Sequence, residues 1–277
     1  MTRNRALLLL PGLAVLLLLV VTPQAILFEA SLGARTVFGG IEHRLSAANY
    51  GRALEPLYLA IFAKSLSLAA GTTLLCLLVG YPVAYWLALV VPARLRTALV
   101  ALVVLPFWTS FLVRMYAWVF LLRSEGLLNM LLTSLGLPPL ELLYTPTAVL
   151  IGQVYGELPF MILPLYAALE KLDRTLLEAA ADLGASPWRT FARVTLPLTA
   201  PGIVAGAVLV FIPSLGAFLA PDLLGGGRTV YVGNLIQNQF TIARDVPFGA
   251  ALSFLLSIAV LLFVFLARRP LRAARLA

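Results

Sequence analysis

Six stretches of this chain run for about 20 residues or more with at most one charged side chain each. A helix needs roughly 20 apolar residues to cross the hydrocarbon core of a bilayer, and few other structures satisfy their backbone hydrogen bonds there. Hydrophobic residues make up 61% of the chain and charged residues only 12%. That leaves too little polar surface to cover a soluble domain. The sequence therefore predicts an all-α integral membrane protein with six transmembrane helices.

The predicted spans form one transmembrane domain over residues 1–277. The first run follows Arg3 and Arg5, so a cleaved signal peptide is the alternative interpretation. That run is longer than the roughly 7–15 residues of a signal-peptide core, and no clean cleavage site follows it. We therefore expect a retained first helix. The spans are placed at 6–28, 62–91, 97–122, 144–169, 198–221 and 246–267.

The basic residues of the connecting segments predict the orientation in the membrane. With a cytoplasmic N-terminus, the inner side receives the whole formal net charge of +8. We therefore expect both termini in the cytoplasm and an inner surface that contacts anionic lipid, with no nucleic acid as a partner. The basic residues on that side are Arg3, Arg5, Arg94, Arg96, Lys171, Arg174, Arg189, Arg193, Arg268, Arg269, Arg272 and Arg275.

The chain offers little for catalysis or metal binding. His43 and Cys76 are its only histidine and cysteine, which argues against a His-based metal site, a Cys/His cluster and a Ser/His/Asp set. The chain also lacks the glycine-rich lysine loop that holds nucleotide phosphates. We therefore expect a protein that is not an enzyme and that carries no cofactor or metal of its own.

The loop at 170–197 is long, charged and helical in pattern. Its first half is rich in alanine and stops at Gly184, which suits the left-handed position that ends many helices. Ser186 is a predicted N-cap, and Pro187 would occupy the first position of a second helix. We predict a helix–turn–helix beneath the membrane that presents small side chains. An amphipathic elbow at the interface is the simpler interpretation.

The spacing within this loop resembles the EAA loop of ABC importer permeases. Glu-Ala-Ala is followed by three residues, a glycine, nine residues, an aliphatic residue, one more residue and Leu-Pro. The resemblance implies a type I ABC importer permease fold, MetI-like, in which this loop is a cytoplasmic coupling helix that seats in an ATPase subunit. The residues that match are Glu178, Ala179, Ala180, Gly184, Val194, Leu196 and Pro197.

Further segments are similar to the first permease of spermidine/putrescine importers, at 105–114, 158–166, 211–216, 221–226, Asn234 and 237–240. The resemblance implies a bacterial cytoplasmic (inner) membrane protein that moves polyamines. It also implies several partners: two ATPase subunits that bind ATP and Mg²⁺, a second homologous permease and a periplasmic or extracellular solute-binding protein. Two alternatives remain open, a permease for another small solute and a self-contained secondary transporter or channel.

A polyamine pathway needs carboxylates and aromatic faces to receive ammonium groups. Candidates are Glu157 and Arg114, each a lone charge inside a predicted span, together with Asp222, Trp108 and Tyr155. Charges at such depth need partners or water. Arg114 and Glu157 could form a static pair between two helices, or they could serve the pathway.

Overall fold

The computed structural model describes residues 2–36, 40–42 and 44–273, with side chains described from Pro11 to Ala267 in those ranges. His43 and Arg275 lie outside the described residues. The described helices and strands are α1 (Thr2–Ser31), β1 (Ala34–Arg35), β2 (Ile41–Glu42), α2 (Ala48–Ala53), α3 (Pro56–Tyr85), α4 (Ala93–Val104), α5 (Phe111–Leu122), α6 (Leu127–Ser134), α7 (Pro146–Glu170), α8 (Arg174–Asp182), α9 (Pro187–Thr190), α10 (Leu196–Leu198), α11 (Ala200–Leu215), α12 (Leu219–Gly225), α13 (Val232–Thr241) and α14 (Val246–Ala273). Two π-helical turns (Trp86–Val90 and Phe191–Thr195) and a 3₁₀ turn (Leu105–Trp108) complete the described helices.

Four of the described helices are long and apolar enough to cross a membrane by themselves, in α1, α3 with its π turn, α7 and α14. Two bent pairs raise the number to six if each pair counts as one span. One pair joins Ala93–Trp108 to Phe111–Ser134 at 89°, and the other joins Pro187–Leu198 to Ala200–Leu215 at 64°.

The stretch predicted as one helix over 97–122 is broken near its middle. Pro106 lies in the 3₁₀ turn that ends α4. Thr109 (ψ 146°) and Ser110 (ψ 137°) are extended, and α5 then starts in a new direction. Proline has no N–H to donate and clashes with the preceding turn, which accounts for a break at this place.

The stretch predicted over 198–221 is likewise two helices rather than one. α11 ends at Leu215, and α12 begins at Leu219 after three residues that include Gly216. Pro213 lies in the last turn of α11. The segment between α11 and α12 therefore contains non-helical backbone, and membrane proteins place such backbone where protein or a water-filled cavity surrounds it.

The chain divides into two compact units, Met1–Phe62 with Leu235–Val260 and Ala63–Asn234 with Leu261–Ala277. In the first unit, β1 and β2 pair antiparallel. The fully buried Phe248 packs in an apolar cluster with Ala53 and Leu252. Arg52 Nη1 donates to Asp245 Oδ2 at 2.8 Å, which secures α2 within this unit.

In the second unit, α7 packs along α11 through small residues. A Cβ at Gly202 of α11 would lie 2.5 Å from Ala168 Cβ, and one at Gly206 would lie 2.6 Å from Met161 Sδ, both on α7. Gly202 and Gly206 form a G-x-x-x-G pair, the spacing that lets helix backbones approach closely in membranes. The buried side chains around this contact include Met161, Leu165 and Val210.

Candidate functional site

The helix α8 begins with a side-chain cap. Asp173 accepts hydrogen bonds from the Thr175 backbone N–H at 3.0 Å and from the Thr175 hydroxyl at 2.8 Å. These bonds lower the pKa of the Asp173 carboxyl, because they stabilise its charged form. The cap satisfies a donor that the first turn of a helix leaves without a partner. The helix α8 therefore starts at a defined residue.

The end of α8 has the backbone predicted from the sequence. Gly184 has φ of +77°, its N–H donates to Ala181 O at 2.8 Å, and the Ala185 N–H donates to Ala180 O at 3.0 Å. This pair of bonds is a Schellman motif. Ser186 Oγ then accepts from the Arg189 N–H at 3.4 Å and caps α9. The predicted helix–turn–helix is confirmed.

The residues that match the EAA spacing lie mainly on the surface of the chain. Large apolar side chains are exposed beside them, with Leu183 at 89% and Trp188 at 73% exposure. An exposed apolar patch bordered by charged residues is typical of a surface that binds another protein. Glu178, Ala179, Gly184, Leu196 and Pro197 are exposed, and Ala180 and Val194 are half-buried.

Two contacts join the loop to the membrane helices. Arg174 donates to the carbonyls of Ala88 and Leu89, at 3.4 and 3.2 Å, at the end of the first π turn. An aromatic chain forms the second contact. The Trp188 ring stacks on Phe191 and the Phe191 ring meets Tyr81 edge-on, each pair 5.5 Å apart. The loop is therefore attached to α3 as well as to the helices it connects.

A cavity of about 280 Å³ lies where α7, the start of α5 and the break between α11 and α12 meet. Its polar groups come from Gln153 and Glu157, which are 2% and 6% exposed. Gln153 Nε2 donates to Glu157 Oε1 at 3.2 Å and to Ser214 Oγ at 3.4 Å. Gln153 Oε1 and Glu157 Oε2 are buried without a hydrogen-bond partner. The remaining wall is largely apolar.

Arg114 lies near this cavity but forms no ion pair with Glu157, although both side chains belong to the described residues. Its guanidinium carbon lies 5.2 Å from the Phe107 ring, 5.4 Å from Phe111 and 6.0 Å from Tyr155. These distances allow cation–π attraction. Arg114 Nε and Nη1 have no hydrogen-bond partner. Aromatic faces therefore surround this cation, and no carboxylate of the described residues lies within ion-pair distance of it.

The other three pathway candidates lie away from the cavity lining. Asp222 Oδ1 accepts a hydrogen bond from Asn234 Nδ2 at 3.0 Å. Tyr155 packs edge-on against Trp118 at 5.5 Å. The Trp108 side chain is 85% exposed at the break between α4 and α5. Only Glu157 of the five candidates lines the cavity.

Sequence reasoning missed a polar residue of the cavity, Gln153, and its hydrogen-bond partner Ser214. Gln153 could have been found, since it is an amide one helical turn before Glu157 in an otherwise apolar span. Ser214 could not, because its contact with Gln153 joins residues that are 61 positions apart. Among the described residues, no three His, Cys, Asp or Glu side chains come together as a metal site.

Comparison with known proteins identifies the family. Residues 80–272 match the family described as "Binding-protein-dependent transport system inner membrane component". The chain is 44% identical over 259 residues to "Spermidine/putrescine transport system permease protein PotB" of Salmonella typhimurium (strain SL1344), covering 93% of this chain and 90% of that protein. It is 33% identical to "Inner membrane ABC transporter permease protein YdcU" of Escherichia coli (strain K12), covering 81% and 76%.

The fold agrees with this family. The chain matches a chain in the crystal structure of a bacterial ABC transporter involved in the import of the acidic polysaccharide alginate, with a TM-score of 0.77 and 19% identity. The match covers 98% of this chain and 95% of that chain. The sequence-based prediction of a MetI-like ABC importer permease is confirmed. The chain therefore belongs to the family of binding-protein-dependent transport system inner membrane components and is a type I ABC importer permease.

Proposed function

We propose that this chain is the permease subunit of an ATP-driven importer of polyamines, and that residues 1–277 serve as one permease domain. The observation that carries the proposal is the 44% identity to a spermidine/putrescine permease, which extends over 93% of this chain. Such coverage includes α7, α11 and the loop between them. The expected cargo is a flexible cation such as putrescine or spermidine.

The energy for transport would come from partner chains. This chain lacks a nucleotide-binding loop, and its cytoplasmic loop exposes Leu183 and Trp188 beside the EAA residues. We propose that the loop seats on one of two ATPase subunits, which bind ATP and Mg²⁺. A second homologous permease would complete the pathway, and a solute-binding protein would deliver the cargo.

The orientation follows from the same arrangement. The ATPase subunits work in the cytoplasm, so the loop between α7 and α11 would lie there. An even number of crossings on each side of that loop then places both termini in the cytoplasm. The positive charge of the inner connections supports this orientation. The outer connections would face the solute-binding protein.

Reconstitution tests this function. The chain is purified with its permease partner and ATPase, placed in proteoliposomes with the solute-binding protein, and assayed for uptake of labelled putrescine and spermidine. We expect uptake that requires ATP and stops with an ATPase variant that cannot hydrolyse it. ATP-dependent uptake of other solutes alone would refute the polyamine assignment. Uptake by this chain without any ATPase would instead indicate a secondary carrier.

The coupling role has its own test at Gly184. Its φ is +77° and a Cβ there would meet nothing within 4 Å, so Gly184→Val adds backbone strain of about 1–3 kcal/mol without a clash at Cβ. Gly136 is the matched control, with φ of +76° and equally open space in another loop. We expect Gly184→Val to lose ATPase co-purification and uptake, and Gly136→Val to keep both. Equal behaviour of the two variants would contradict the coupling role.

A further inference from the structure

The cavity beside Glu157 contains two oxygen atoms that have no hydrogen-bond donor. Glu157 Oε2 and Gln153 Oε1 are both buried and without a partner. A buried acceptor without a donor costs free energy, more so when it is charged. Both atoms are covered in this structure, and the cavity of about 280 Å³ that both residues line gives their side chains room to turn toward a ligand. That volume is near the lower end of the roughly 300–1,000 Å³ of small-molecule sites.

The hydrogen bonds already formed determine what could bind. Gln153 uses its amide N–H groups on Glu157 Oε1 and Ser214 Oγ. What remains without a partner is a carboxylate oxygen and an amide carbonyl oxygen, and both accept hydrogen bonds without donating them. The complementary ligand group is therefore a donor with positive charge. A primary ammonium group provides three donors and one charge.

The rest of the wall suits the carbon chain of such a ligand. Phe111 and Phe218 contribute rings and Pro213 contributes an apolar edge. Methylene groups next to an ammonium can pack on these surfaces, and a ring face also attracts the cation itself. The cavity thus combines acceptors for one terminal amine with an apolar wall for a short alkyl chain.

Arg114 limits how tightly a cation can be held. Its guanidinium lies over Phe107 and Phe111 and forms no ion pair with Glu157, so Glu157 Oε2 stays without a partner. Its positive charge nevertheless offsets part of the negative potential that Glu157 presents to a cation at longer range. A site with nearly balanced charge binds a cation weakly and releases it readily. Weak binding is what a transport pathway requires of an intermediate site.

We propose that the Glu157–Gln153 cavity is a transient binding site for one primary ammonium group of the cargo as it crosses the membrane. The proposal rests on the proposed function for the identity of the cargo. Binding itself, however, is a property of this chain and can be measured apart from polyamine uptake.

Thiol labelling gives that measurement. In the assembled complex Cys76→Ala removes the only cysteine of this chain, and Ala217→Cys places a thiol on the cavity wall. Labelling rates are compared for an ammonium-bearing and a sulfonate-bearing methanethiosulfonate reagent. Leu137→Cys, at an exposed position on an outer connection, is the control. It gives the ratio of the two labelling rates at a thiol that lies outside the cavity.

We expect the ammonium reagent to be favoured at least tenfold more at Ala217→Cys than at Leu137→Cys. We call the complex with Cys76→Ala and Ala217→Cys the parent. Adding Glu157→Gln to the parent should abolish this preference, and putrescine should slow labelling in the parent but not in the variant with Glu157→Gln. If Glu157→Gln does not assemble, Gln153→Met removes the second acceptor and should reduce the preference. A preference that persists in these variants, or that is absent in the parent, would overturn the proposal.

The two proposals fail separately. If the parent complex shows the charge preference but imports no polyamine, the cavity is a cation site and the proposed cargo is wrong. The complex could instead import polyamine while labelling at Ala217→Cys depends neither on the charge of the reagent nor on putrescine. In that case the proposed function is supported, and the proposal that the cavity is the binding site is refuted.

Discussion

The contact between α7 and α11 at Gly202 allows a quantitative test of the fold. An ideal Cβ at Gly202 would lie 2.5 Å from Ala168 Cβ, 2.8 Å from Pro164 O and 3.5 Å from Leu165 Cα. Two of these atoms belong to backbone and the third is a Cβ, so none can move by a rotamer change. Gly202→Ala therefore forces the two helices apart.

The expected cost follows from two opposing effects. Overpacking a well-packed contact costs about 1–3 kcal/mol. Alanine favours a helix over glycine by up to about 1 kcal/mol, which partly offsets the clash. Gly71→Ala in α3 isolates this second effect, because a Cβ there would lie 3.8 Å from Leu150 Cδ1, an ordinary contact. The difference between the two variants is then the clash alone, about 1–3 kcal/mol.

The chain carries its own reporter of unfolding. Cys76 is the single cysteine and is fully buried in the folded protein, so a thiol-reactive fluorogenic dye labels it only on unfolding. At roughly 2–4 °C per kcal/mol for a chain of this size, Gly202→Ala should unfold about 2–12 °C below Gly71→Ala in the same detergent. Equal midpoints, or a higher midpoint for Gly202→Ala, would refute the close approach of the two helices.

Two further predictions concern the charged residues outside the spans. The pKa of Asp173 is lowered by its bonds from Thr175, so its capping of α8 should be complete above the ordinary aspartate pKa near 4 and lost as the pH falls through the lowered value. Amide exchange of α8 should accordingly be faster in Asp173→Ala than in the parent at neutral pH and equal in both in strong acid. Arg52→Met leaves the buried Asp245 carboxylate without its 2.8 Å partner, and we expect a loss of about 1–3 kcal/mol in a denaturant titration. No measurable loss should follow from Arg228→Met, which changes an exposed residue.

The sequence was most informative where structure depends on neighbours along the chain. The left-handed Gly184 and the cap at Ser186 followed by Pro187 are local chemistry, and both occur as predicted. The membrane class followed from the length of the apolar runs, since hydropathy alone requires it. These features need no knowledge of which helices meet.

The breaks in the spans and the cavity were not predictable in the same way. Pro106 indicated where the helix could be interrupted. The 89° bend beyond it, however, depends on extended backbone at Thr109 and Ser110. The sequence left open whether Arg114 pairs with Glu157, and the structure places its guanidinium over aromatic rings. Side-chain partners in a membrane protein are set by helix packing, and a single sequence does not contain the rotation of each helix.

The close packing of α7 and α11 also determines how the protein responds to force. These two helices lead into and out of the loop that contains α8, so any load on α8 acts on both at once. Interiors packed at this density have low compressibility, and the contacts at Gly202 leave no free volume to take up a displacement. Glu157 lies about 20 Å along α7 from the loop at 1.5 Å per residue. A displacement of the loop should therefore reach the level of Glu157 with little elastic loss, because the two helices should move together.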